Sequence, residues 1–530
     1  MGQMKRAFAA VIAVIASAHL RRVGAQFQQA CAALASRLTI PNTTIASTSF
    51  VAAGTNLAFP TVDASCGPPF QVVSSDICRV VLTVATSSRS HTAMEAWLPS
   101  NWTGRFLSTG NGGIGGCIQY TDMDYGSSLG FATTGSDNGH PGQNGTLFLN
   151  NIEVVKDFSW RSLLTSAVVG KQITRDFYGK PHDKSYYLGC STGGRQGWKM
   201  AQEFPDVFDG IVAGSPALAW DNLISWSGMF FPLIVNAGPD GFPPPSTWPV
   251  IDAELLRQCD GIDGAVDGII EDPALCNFRP EALICPPGNS SSCITRKQAK
   301  TVRAVFEPLF AEGILMYPGL EFGPGLVAAV FQIYSSRQFL FTDNWYRFAV
   351  FNNPAFNATV LTPEEIVFAW NLNPGDINTW SGDLSRFSNR GARILHYHGQ
   401  QDQLISSANS NRYYDLVSRT MRLPPSSLDE FYRFFRISGM MHCGGGPGAT
   451  FIGNTEASVA SLDPDENVLM AMVRWIEEGI APETITGTAF INQTKALGAD
   501  FKRAHCRYPY RNVHTEKGDV KDPASWKCIL

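Results

Sequence analysis

The sequence predicts an α/β fold: a mostly parallel sheet with helices on both faces, carrying one large insertion. Two patterns support the fold class and a third locates the insertion. First, residues 92–98, 105–109 and 130–134 read as strands, 160–177 as an amphipathic helix, and 210–213 as a buried strand. Second, Gly189-Cys190-Ser191-Thr192-Gly193 joins a buried strand at 185–188 to a helix that begins at Gly194. In that setting Gly-x-Ser-x-Gly is the sharp turn of an α/β-hydrolase fold, which lifts a serine hydroxyl out of the sheet. The glycines are needed because the turn strains the serine backbone and leaves no room beside it for side chains. Third, the rhythm breaks at about Pro216 and resumes near Arg393. Residues 216–389 are rich in Pro, Gly, Trp and Phe and hold Cys259, Cys276, Cys285 and Cys293. They read as a large lid inserted into a catalytic domain formed by residues 26–215 and 390–530. Strands at 393–398 and 432–437, with helices near 406–419 and 466–478, complete that domain.

Composition bounds the setting. Of 530 residues, 44% are hydrophobic and 16% charged, which suits an ordered protein with a large core. The net charge of −5, with no long basic run, gives no footprint for nucleic acid. Lys5-Arg6 followed by the apolar run 7–16 reads as a secretory signal ending at Ala18, or as late as Ala25. No later segment approaches the roughly 20 apolar residues of a membrane span. Twelve cysteines suit an oxidising compartment. Glycosylation sequons begin at Asn42, Asn101, Asn144, Asn289, Asn357 and Asn492. The expectation is a secreted glycoprotein. The sequence leaves a homodimer open.

The candidate chemistry follows from order along the chain. In this fold the nucleophile is followed by an acid and then a histidine, each on a loop at the carboxyl end of a strand. Ser191 is the candidate nucleophile. Asp402 follows the strand 393–398, and His442 lies in the glycine-rich loop after the next strand. Asp402 would orient the imidazole, and His442 would take the Ser191 proton and return it to a leaving alcohol. His398 is a rival, but its place within a strand suits packing or a local hydrogen bond. Two backbone N–H groups should hold the developing oxyanion: Thr192, and Gly113 from the loop Gly110–Cys117.

Cys190 directly precedes Ser191, and Cys443 directly follows His442. A serine and its base must lie about 2.6–3.2 Å apart, which brings their neighbours near the Cα separation of a disulfide, about 4.4–6.8 Å. A Cys190–Cys443 bridge is therefore expected.

In the lid, Cys259-Asp260-Gly261-Ile262-Asp263-Gly264-Ala265-Val266-Asp267-Gly268-Ile269 sets three carboxylates within eight residues. They would repel one another unless a hard cation sat among them. Side-chain oxygens of Asp260, Asp263 and Asp267, with the carbonyls of Ala265 and Ile269, would form a structural calcium loop.

Together these residues resemble the tannase and feruloyl esterase family. The likeness rests on Cys190-Ser191-Thr192-Gly193-Gly194, Asp402 after His398-Gly399, His442-Cys443 and the acidic loop, and it covers nearly the whole chain beyond the signal. It implies hydrolysis of aromatic carboxylic esters: hydroxycinnamoyl esters on plant cell-wall polysaccharides, small phenolic esters, or, in tannases, galloyl esters. It also implies the pairs Cys31–Cys78, Cys66–Cys117, Cys259–Cys276, Cys285–Cys293 and Cys506–Cys528. Tannases of the family are often cut at a dibasic site in the lid. Here Arg296-Lys297 is the one such pair, in the less usual order, which tilts the expectation toward a feruloyl esterase. The other readings are a tannase and, remotely, an inactive cell-wall binding protein.

Overall fold

The computed structural model describes residues 24–288 and 292–530. The predicted signal and the sequon at Asn289 lie outside these residues. The main sheet has nine strands: β1 (Thr43–Val51), β2 (Ile77–Ala85), β3 (His91–Pro99), β4 (Arg105–Thr109), β5 (Phe131–Ser136), β6 (Lys184–Cys190), β7 (Gly210–Gly214), β8 (Arg393–Gly399) and β9 (Tyr432–Ile437). Their spatial order is β1-β2-β3-β5-β4-β6-β7-β8-β9. From β5 to β9 every pairing is parallel. At the other edge β1, β2 and β3 pair antiparallel, and β3 meets β5 antiparallel. The sequence reading did not single out β1 and β2. Only a tight turn, with Thr86 N donating to Ser90 O at 3.0 Å, separates β2 from β3, too short for the crossover that a parallel pair needs.

The expected helices form with small shifts. Helix α1 spans Ser162–Tyr178 rather than starting at 160, because a π-helical stretch, Asp157–Arg161, precedes it. Helix α2 is Thr192–Glu203 and α3 is Ala408–Met421. Helix α4 is Val468–Glu478; it starts late because Asn467 caps it by accepting from Leu469 N and Met470 N. Strand alternation then sorts the core. Tyr187 packs with Trp198 of α2 on one face, while Tyr186 and Leu188 pack with Met472 of α4 on the other.

The segment between β7 and β8 is mainly short helices with one small hairpin, Leu309–Ala311 and Ile314–Tyr317. Its apolar core, including Trp226, Phe230, Ile251 and Trp345, is continuous with Ile114 and Phe158 of the body. After α4 the chain closes with two antiparallel ribbons, Thr484–Phe490 with Ala499–Cys506 and Arg511–His514 with Trp526–Ile529. All six disulfides are formed, in the pairing that the family resemblance implies. Among the described residues no helix is long and apolar enough to cross a membrane.

Candidate active site

Ser191 sits between β6 and α2 with φ 66° and ψ −125°, a conformation that costs an L-residue of order 1–3 kcal/mol. The surroundings hold it there. Ser191 N donates to Gly214 O of β7 at 3.0 Å, and Ser191 O accepts from Arg195 N and Ala217 N. A Cβ on Gly194 would overlap the Gly214 carbonyl, so the turn can press against β7 only with glycine at that position.

The three candidate side chains converge. His442 Nε2 is 3.0 Å from Ser191 Oγ, and His442 Nδ1 is 2.8 Å from Asp402 Oδ2. Asp402 is buried, and its Oδ1 accepts from Leu404 N and Ile405 N, each at 2.9 Å. Burial pushes its carboxyl up. The charge of His442 and hydrogen bonds from His398 and His442 outweigh burial and hold it well below the usual carboxylate range. It is therefore ionised and suited to support an imidazolium.

His398 takes the supporting place its strand position suggested. Its Nε2 lies 3.2 Å from Asp402 Oδ2 and 3.0 Å from Ile405 O. Its Nδ1 lies 2.7 Å from Ser410 Oγ, which in turn is 2.9 Å from His396 Nε2. Tyr432 OH meets His396 Nδ1 at 3.0 Å. Burial drives the His396 pKa far down, so His396 is neutral and accepts a hydrogen bond from Tyr432 OH. The chain then runs Tyr432, His396, Ser410, His398, Asp402, with each donor finding an acceptor.

The Cys190–Cys443 bridge is present with its Cα atoms 6.1 Å apart. Cys443 adopts φ 60°, and its carbonyl accepts from Asn454 Nδ2 at 2.9 Å. The glycine-rich loop around His442 is thus held on both sides.

Gly113, with φ 62°, stands beside the serine turn: Thr192 Oγ1 donates to Gly113 O at 2.5 Å. Gln143 Oε1 accepts from Ile114 N at 3.0 Å. Gly113, Thr192, Ser191 and His442 line one narrow cavity of about 40 Å³. Its remaining wall is apolar apart from Ser227: Trp220, Leu223 and Ile224 from the helix Trp220–Ser227 at the start of the insert, Leu404 and Ile405 from the acid loop, and Phe339 and Phe341 from further along the insert.

Sequence reasoning missed these wall residues, because a phenylalanine in an aromatic-rich insert carries no mark distinguishing wall from core. Trp226, Phe230, Trp345 and Tyr346, other aromatics of the insert, are all buried core. It also missed Arg195, fully buried one turn after Ser191. Its Nη1 donates to Ser159 O at 2.6 Å and its Nη2 to Phe158 O at 3.2 Å. Both carbonyls belong to the π-helical stretch, so Arg195 locks α1 to the nucleophile helix. Burial lowers its guanidinium to about 9.

In the acidic loop, Asp260 accepts from Gly268 N, Asp263 from Ala265 N and Glu271 N, and Asp267 from Ile269 N. Among the described residues no three His, Cys, Asp or Glu side chains gather as a metal-ligand group. Arg503, buried and stacked 3.5 Å from the Trp526 ring centre, pairs with both Asp267 and Glu271. Asp263 is pushed up to about 7, by burial first and then by Glu271 and Asp267. Asn42, Asn101, Asn144, Asn357 and Asn492 are exposed.

The sequence model of the tannase and feruloyl esterase family matches residues 78–529. A probable feruloyl esterase B-2 of Aspergillus terreus is 49% identical over 521 residues, covering 98% of both chains. Feruloyl esterase B from Aspergillus oryzae superposes with TM-score 0.91 at 45% identity, over 95% of this chain and 100% of that one. A tannin acyl hydrolase from Aspergillus niger shares the fold, with TM-score 0.72 at 22% identity over 94% of both chains.

Proposed function

The chain belongs to the tannase and feruloyl esterase family and is a carboxylic ester hydrolase, and we propose that Ser191, His442 and Asp402 carry the reaction on hydroxycinnamoyl esters of plant cell-wall polysaccharides. One observation carries the assignment: the unbroken hydrogen-bonded line from Ser191 through His442 to a buried, ionised Asp402, opening on an apolar cavity. His442 takes the Ser191 proton as Oγ attacks the ester carbonyl, and the N–H groups of Thr192 and Gly113 receive the oxyanion. The intermediate collapses to an acyl-enzyme as His442 protonates the departing sugar alcohol. Water then attacks with His442 again as base, releasing the phenolic acid and restoring Ser191.

The apolar, aromatic wall supports a planar phenolic acyl group. The half-buried Phe339 and Phe341 line the cavity beside Ser191 and His442, where an acyl group would meet them. The 45% identity to a feruloyl esterase B, against 22% to a tannin acyl hydrolase, favours hydroxycinnamoyl over galloyl esters. The test is labelling with a phosphonate serine reagent: one label per chain on Ser191 is expected, and none on Ser191→Ala, whose kcat should fall by about 10⁴–10⁶. A variant retaining a tenth of the activity would refute the assignment.

Secretion with glycan on the exposed sequons accords with six disulfides and the N-terminal signal pattern. A structural calcium belongs to the same reading. Asp260, Asp263, Asp267 and Glu271 gather here, Arg503 pairs with only Asp267 and Glu271 of them, and Asp263 is pushed up by burial first and then by Glu271 and Asp267. Oxygen donors of this kind fit a hard cation. Asp260, Asp263 and Asp267, with the carbonyls of Ala265 and Ile269, would hold it. When bound, it would neutralise the loop that latches the insert onto Arg503 of the body.

A further inference from the structure

We propose that a second cavity, at the seam between insert and body, binds a neutral sugar residue of the polysaccharide that carries the ester. The proposal deepens the esterase reading and rests on it for the identity of the polymer.

The cavity measures about 380 Å³ and lies between the insert hairpin, residues 314–316, the helix Pro363–Leu372 and helix α3. That volume falls in the range of about 300–1,000 Å³ usual for small-ligand sites. Two half-buried tryptophans line it. Trp370 packs against the core of the insert and Trp380 against that of the body. The Arg412 guanidinium already lies 5.6 Å above the Trp380 ring, and one of its nitrogens donates to Asn409 Oδ1 at 3.2 Å. The exposed Asn371 completes the rim.

The polar atom that decides the ligand class is Asn222 Oδ1. Asn222 is only 6% exposed, and its Oδ1 has no hydrogen-bond partner among the described residues. A buried polar group left unpaired is costly, and the Asn222 side chain lines the cavity. It favours a ligand that brings hydrogen-bonding groups of its own. A phenolic acid brings one hydroxyl and a carboxylate, whereas a sugar presents several neutral hydroxyls that can pair with Asn222, Arg412 and Asn371 together. Apolar sugar faces stack on indole rings, and two are present.

The placement fits the reaction. Trp220, Leu223, Ile224 and Ser227 form one face of the helix Trp220–Ser227 and line the catalytic cavity. Asn222 projects from the opposite face into the second cavity. A single helix is thus the common wall of the two sites.

The test titrates the whole enzyme with a neutral, ester-free xylo-oligosaccharide and, separately, with ferulic acid. It then compares kinetics on methyl ferulate and on a feruloylated oligosaccharide. Trp370→Ala should weaken oligosaccharide binding tenfold or more and raise KM on the feruloylated oligosaccharide to match, leaving methyl ferulate kinetics unchanged. Asn371→Ala, at an exposed position, should show the same split several-fold with an unaltered Tm, so that a misfolded Trp370 variant does not decide the matter. No oligosaccharide binding by the wild type would overturn the proposal. So would equal losses on both esters, or ferulic acid binding that Trp370→Ala abolishes. An enzyme inactive on methyl ferulate that still bound the ester-free oligosaccharide through Trp370 would support this site while refuting the esterase reading.

Discussion

The body and the insert solve different problems with different materials. In the body, Ser191, Asp402 and His442 each follow the carboxyl end of a parallel strand, so β6, β8 and β9 fix their spacing before any side chain is chosen. The insert has one small hairpin and short helices, and it is held by packing on Ile114 and Phe158, by disulfides, and by the acidic loop on Arg503. It contributes most of the cavity wall, including Trp220, Leu223, Phe339 and Phe341, but none of the three candidate catalytic side chains. The difference teaches that chemistry and substrate fit are separable here. Damage to the body should appear in kcat, and damage to the insert in stability or KM.

The largest break should come from Asp402→Asn. The amide keeps the shape but cannot stabilise an imidazolium, and the comparable change in serine hydrolases costs about 10⁴ in kcat. Stability should suffer less than rate, because Leu404 N and Ile405 N can still donate to the remaining carbonyl oxygen. A loss under tenfold would mean that His442 takes its orientation from elsewhere.

Next is the bridge that ties two body loops. Cys190 and Cys443 are separated by 253 residues, and chain entropy alone allows about 5 kcal/mol for such a closure. The sheet already holds the loops near each other, so much of that is offset. Replacing both cysteines by Ala should lower kcat by about ten- to a hundredfold, since misplacement by about 1 Å is enough to do so, with a smaller proportional change in Tm. Mapping peptides without reduction should recover Cys190 and Cys443 in one fragment; a free thiol at either would contradict the bridge.

The smallest effect, and the one confined to the insert, concerns the acidic loop. A chelator should lower Tm by about 2–5 °C without changing kcat, as loss of a bound stabilising ion does. Asp263→Ala should reproduce the drop and make the chelator irrelevant. A melting curve indifferent to both would remove calcium from the account.

The same division governs what could be read from the sequence. Central strands carry paired large apolar residues, Phe106-Leu107 and Phe434-Phe435, so 105–109 and 432–437 were legible to the residue despite the arginines in both. The serine turn announces itself because only glycine tolerates its contacts. The acid and the histidine follow from chain order. By contrast, β1 exposes much of one face and carries Thr and Ser, which blurs its alternation. The relay from Tyr432 to His398 joins residues up to 36 apart in sequence, and its members look like ordinary strand and helix residues. Phe339 and Phe341 differ from the core aromatics of the insert only in position. Spacing cannot show that a side chain reaches across from an inserted segment.

The most direct measurement of the central claim is a side-by-side assay of methyl ferulate, methyl caffeate, methyl p-coumarate and methyl gallate with the purified enzyme. An apolar wall of Trp220, Phe339 and Phe341 around a Ser191–His442–Asp402 line predicts that kcat/KM for the hydroxycinnamates exceeds that for gallate by about tenfold or more, since a wall polar only at Ser227 leaves most of gallate's three hydroxyls without a partner. Preferential hydrolysis of methyl gallate would make the enzyme a tannase, and no turnover of any of the four would contradict the account at its root.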